Sequence, residues 1–130
     1  MTSKGTPIGQ METSETPRIN IDKIREMLFH DDTYIADFAA ASIESFSKFS
    51  DQFNHLLLMR DVKGVQRAVH KIRPVATMLE LEELITEAAT GKDHLKRDRP
   101  DEDLKRSAQR VRLLCSVVIR EFERIMNGKQ

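Results

Sequence analysis

His70 is the residue with the clearest capacity for chemistry, because of what stands around it at helical spacing. Lys63, Gln66 and Arg67 precede it by seven, four and three residues, and Arg73, Pro74 and Thr77 follow it by three, four and seven. On a helix these offsets share one face. The apolar series Val62, Val65, Val69, Ile72 and Ala76 sets the core direction of the segment, and His70 points roughly 120° away from it, into solvent. Three cations therefore share the face of one exposed imidazole, with no carboxylate among them. A solvated helix face ordinarily mixes signs and pairs them at i,i+4.

A neutral imidazole is a nucleophile available at neutral pH. Nearby cations hold a phosphoryl group through charge-assisted hydrogen bonds. Phosphoryl transfer asks mainly for positioning and charge neutralisation, so this face suits a phosphoryl acceptor. It does not suit hydrolysis, since nothing activates a water, nor a metal, since cations repel the ion and no second ligand stands at i+4. Pro74 adds a second irregularity. Inside a helix it lacks its own N–H and clashes with the carbonyl of His70, at a cost of about 3 kcal/mol in an unsupported helix. The expected result is a bend, a freed His70 carbonyl and a low, flat ring that lets a partner come close.

Helices must position these residues. The chain has 130 residues, 15.0 kDa, with 21 basic and 21 acidic side chains and no net charge. That is one domain, and the balance argues against a bulk nucleic-acid or anionic-membrane binder. Absence of Trp, a single Tyr and few β-branched aromatic runs favour helix over sheet. One cysteine excludes an internal disulfide, and no Cys/His spacing suggests zinc. No apolar run reaches the ~18 residues of a membrane span, and no apolar segment near the start resembles a signal peptide. A cytoplasmic domain is expected.

Residues 1–20 are rich in Ser, Thr, Gly and Pro and are expected to form a flexible leader. A short helix is expected over Asp22–Phe29, then an N-cap cluster at His30–Thr33. Ile35, Phe38, Ser42, Phe46, Phe49, Phe53 and Leu56 step by threes and fours, predicting one helix over Thr33–Met59. Asp61 is the expected cap of the next, which carries His70. A fourth helix carries Leu81, Leu84, Ile85 and Ala88, with Gly91 as its expected stop and Lys92–Pro100 as a polar loop. The last helix carries Leu104, Ala108, Val111, Cys115, Val118, Phe122 and Ile125. The expected fold is all-α: an antiparallel up-and-down four-helix bundle over residues 21–127, with a short N-terminal cap helix.

The segment Ala68–Leu84, AVHKIRPVATMLELEEL, resembles the core motif of histidine-containing phosphotransfer (HPt) domains, A-H-x-L-K-G followed by a small or polar run and an apolar helix. The H-K-L-K-P variant with a following M-L-G-L is especially similar. The likeness in layout covers residues 21–127, and the specific match about 15 residues. It implies that His70 is the phosphorylated histidine, that Lys71 matches the H-K form, and that Arg73 stands where a Lys is usual, offering a planar fork in place of a compact ammonium. Pro74 stands where the family has glycine, as in the H-K-L-K-P variant. Glu80 stands ten residues past the histidine, where many members have Gly, a departure that bears on the turn between the third and fourth helices. With the residues that helical spacing places around His70, the expected phosphate-stabilising set is Arg73, Lys71, Arg67 and Lys63, with Gln66, Pro74 and Thr77 shaping the surface.

The resemblance implies a phosphorelay carrier that takes a phosphoryl group from the aspartate of a response-regulator receiver domain or a hybrid sensor histidine kinase and passes it to another receiver. It implies a monomer with no cofactor of its own, since the receiver brings Mg²⁺. No Gly-rich ATP-binding segment is recognisable, so the chain is expected to be a carrier without autokinase activity, not an enzyme. The alternative is a non-catalytic helical adaptor, or a degenerate HPt-like domain, that binds a partner without phosphotransfer. His30 reads as a turn residue, His55 as a bundle flank, His94 as a solvated loop residue and Cys115 as a small buried hydrophobe. The cap helix and the start of the second helix, Tyr34 and Ile35, are the expected docking candidates.

Overall fold

The computed structural model describes residues 19–128, and among these there are five helices and no strand. They are α1 (Ile21–Met27), α2 (Asp32–Leu58), α3 (Val62–Met78), α4 (Glu82–Lys96) and α5 (Asp101–Met126). Most of the expected leader, residues 1–18, lies outside the described residues. Ile19 and Asn20 belong to the folded part. Ile19 is buried and its N–H donates to Glu121 Oε1 at 2.9 Å, while Asn20 Oδ1 accepts from the Lys23 amide and caps α1.

α2 and α3 start where short acidic side chains satisfy free amides. Asp31 Oδ1 accepts from the amides of Thr33 and Tyr34 at 2.9 and 3.1 Å. Asp61 Oδ1 accepts from Gly64 at 2.9 Å and opens α3 as expected. With no Gly or Pro to interrupt it, α2 runs for 27 residues, roughly 40 Å. The apolar stripes fall inside: Phe46, Phe53, Val65, Leu104, Val111, Val118 and Phe122 are fully buried. The stripe of α2 drifts slightly, so that Leu57 is buried while Leu56 and Phe38 are half-buried. Phe38 still meets Phe122 edge-on, ring centroids 5.8 Å apart.

Gly91 does not stop the fourth helix. α4 continues through it to Lys96, so residues 92–96, His94 among them, are helical and not loop. Gly91 is there for close packing: a Cβ would lie 2.9 Å from Phe53 Cζ and 3.2 Å from Ser107 Cβ. The reversals after α2, α3 and α4 instead use Arg60, Glu80 and Asp98 in the left-handed region, at φ of 60°, 60° and 55°. Each closes with the amide pattern that usually relies on glycine; after α3, Glu80 N–H donates to Thr77 and Leu81 N–H to Ala76, at 3.0 and 2.9 Å. The side chains at these positions are tied down. Glu80 pairs with Lys23 of α1 at 2.8 Å. Arg60 donates to Asp98, Asp101 and the Arg99 carbonyl, joining the two turns at that end. The same guanidinium holds the Asp101 carboxyl below its ordinary value, mainly through the hydrogen bond.

The most extensive packing is between α2 and α5, followed by α4 with α5, α2 with α3 and α3 with α4, so each long helix has two principal neighbours around one core. α1 lies at the end where α3 finishes: a narrow cleft there is lined by Asn20, Lys23, Ile24 and Met27 on one side and Met78, Leu79 and Glu80 on the other. No helix among the described residues is long and apolar enough to cross a membrane.

Candidate functional site

α3 carries the candidate site on the face opposite its buried stripe of Val65, Ala68, Val69, Ile72 and Ala76. His70, Lys63, Gln66, Arg67, Lys71, Arg73, Pro74 and Thr77 are all exposed. Pro74 sits inside α3, which continues as α-helix to Met78; the chain carries the proline without ending the helix there. Lacking an N–H, Pro74 cannot serve the His70 carbonyl.

A broad, open depression lies over this face. It is lined by Lys63, Gln66, Arg67, Val69, His70, Lys71 and Arg73 of α3 and by Lys92 of α4. The structure thus brings together six of the eight residues that the sequence places at the site. Pro74 and Thr77 are exposed on α3 but do not line the depression. Lys92 was missed, because the segment after Gly91 reads as loop and its cation as solvated. The signal that finds it is continuation of α4 through a glycine chosen for packing.

None of the ion pairs among the described residues engages Lys63, Arg67, Lys71, Arg73 or Lys92. Elsewhere most cations are paired, Arg112 with Asp51, Arg110 with Glu83, Arg99 and Arg106 with Asp103, and those that are not among the described residues, Lys96, Lys105, Arg120 and Arg124, do not line the depression. Five cations without a carboxylate, around one imidazole, form an anion-seeking surface. The face offers a nucleophile and charge neutralisation, and it leaves the imidazole open to a large partner.

The other histidines are placed apart. His30 lies in the α1–α2 turn at φ 56°, His55 is exposed near the end of α2, and His94 is half-buried in the last turn of α4. Cys115 is fully buried on α5, and burial pushes its thiol up to about 12. Among the docking candidates, Tyr34 is 55% exposed but Ile35 is buried at 5% and belongs to the core, as does Ile24 of α1. Phe29, 80% exposed in the α1–α2 turn, and Met27 are the apolar side chains that α1 and its turn actually present. No group of three metal-ligating side chains occurs among the described residues.

Compared with known proteins, the chain matches no family model, no curated protein and no solved structure.

Proposed function

We propose that the chain is a phosphorelay carrier of the HPt kind, with the four long helices forming an antiparallel up-and-down bundle and α1 as its cap. The observation that carries this reading is the exposure of His70 on a face whose five cations have no carboxylate partner among the described residues. The donor is a receiver domain bearing an aspartyl phosphate, together with its own Mg²⁺. The unprotonated ring nitrogen of His70 attacks phosphorus with its lone pair. The bond from phosphorus to the carboxylate oxygen breaks, and the aspartate leaves with that electron pair. The phosphoryl group now sits on nitrogen, and the reverse step hands it to the aspartate of a second receiver. Arg73, Lys71, Arg67 and Lys63 neutralise the charge as it moves between the two carriers. The chain acts in this scheme as a cytoplasmic monomer and does not phosphorylate itself.

The exposed Phe29, Tyr34 and Met27 support a docking role for the α1 end. They also fit the second reading, an adaptor that binds without chemistry. Incubation with a panel of radiolabelled, phosphorylated receivers and Mg²⁺ separates the two. A carrier takes up label that survives base, is lost in acid and is absent from His70→Gln. An adaptor binds a partner equally well with either residue and takes no label.

A further inference from the structure

Resting on the carrier reading, we infer that the phosphoryl group on His70 is held from the N-terminal side of the imidazole, by Arg67 of α3 and Lys92 of α4 acting as positioning residues. This pair is separate from Arg73, the cation that the motif supplies.

Side chains on a helix lean back toward its N-terminus and cover the turn before their own Cα. The His70 ring therefore lies over the turn that carries Gln66 and Arg67, with Arg67 three residues before it and Arg73 three residues after it. Both Arg67 and Lys92 line the same depression as His70. Lys92 is also half-buried, although its own helix offers it no counter-charge: Ala88 and Ala89 precede it by four and three residues, and Leu95 and Lys96 follow by three and four. The charged side chains of α3 that line the depression with it are all cations. A half-buried ammonium among like charges is unfavourable until an anion enters. Its position is fixed by its neighbour, since Gly91 packs against Phe53 and Ser107 and turns the next residue toward α3. A phosphoryl dianion on the overhanging ring fits the space between the two cations, one from each helix, which a single-helix motif does not provide.

The test uses the full chain and phosphoramidate, whose P–N bond breaks to release ammonia as the His70 nitrogen bonds phosphorus. Formation of phosphohistidine is followed and mapped by peptide. Arg67→Gln and Lys92→Gln each slow the reaction by about tenfold, the loss of one charge-assisted contact. Lys92→Arg keeps most of the rate, and Lys105→Gln, an exposed cation that does not line the depression, leaves it unchanged. Wild-type rates in both glutamine variants, with labelling still lost in His70→Gln, overturn the positioning role and leave the carrier reading standing. So does an equal loss in Lys92→Arg and Lys92→Gln at unchanged helicity. Failure to label His70 in the wild type removes the carrier reading and this inference with it.

Discussion

At the scale of single residues, His70 and Cys115 are opposites. His70 stands in solvent among cations that have no ion pair among the described residues, whereas Cys115 lies in the core with its thiolate disfavoured by burial. The thiol stays protonated in the fold up to about 12, while in the unfolded chain it ionises near 9.0. Its contribution to stability is therefore complete below about 9 and is lost as the pH rises from there toward 12. Denaturation midpoints should fall with pH across that window, on the order of 1 kcal/mol per unit from this group. Cys115→Ala, less stable overall because of the cavity it leaves, should show a flatter decline; an identical slope would remove this account. Thiol reagents should reach Cys115 only on unfolding. Most of the cationic face was legible in the sequence because it lies on one helix, where period alone places Lys63, Arg67, His70 and Arg73 together. Lys92 was not, since it joins them through packing between two helices.

At the scale of elements, the helix stripes and caps were readable, as at Asp61 and along α5, because period and short acidic side chains act locally. The stops were not. Gly91 has the composition of a terminator, yet it serves contact with Phe53 and Ser107, and long-range packing overrode local preference. Helix propensity alone says that Gly91→Ala gains about 1 kcal/mol. The contact at 2.9 Å says the reverse, a loss of about 1–3 kcal/mol from overpacking, measurable in thermal or urea unfolding. Glu80 runs the other way. A non-glycine residue at φ 60° carries strain of about 1 kcal/mol, and its pair with Lys23 is exposed at 44% and 60% and worth less than that. Glu80→Gly should therefore raise the melting temperature by about 1–3 °C; a fall would show that the tie to α1 matters more than the backbone.

At the scale of the whole molecule, a chain with no net charge has separated its charges. The α3–α4 face keeps five cations without an ion pair among the described residues, and the remaining surface is left acidic and laced with ion pairs. Such a face steers an acidic partner over a range set by a screening length of about 10 Å at 0.1 M salt. Association with a receiver should slow by about tenfold between low and high salt while dissociation changes little; salt-independent association would contradict an electrostatic face. The central claim is that a phosphorus–nitrogen bond forms at His70. Phosphorus magnetic resonance of the full chain, after exposure to a phosphorylated receiver with Mg²⁺, observes that bond directly. The account predicts a phosphoramidate-type signal in the wild type that is absent from His70→Gln. A wild type with no such signal, or a signal that survives in His70→Gln, contradicts it.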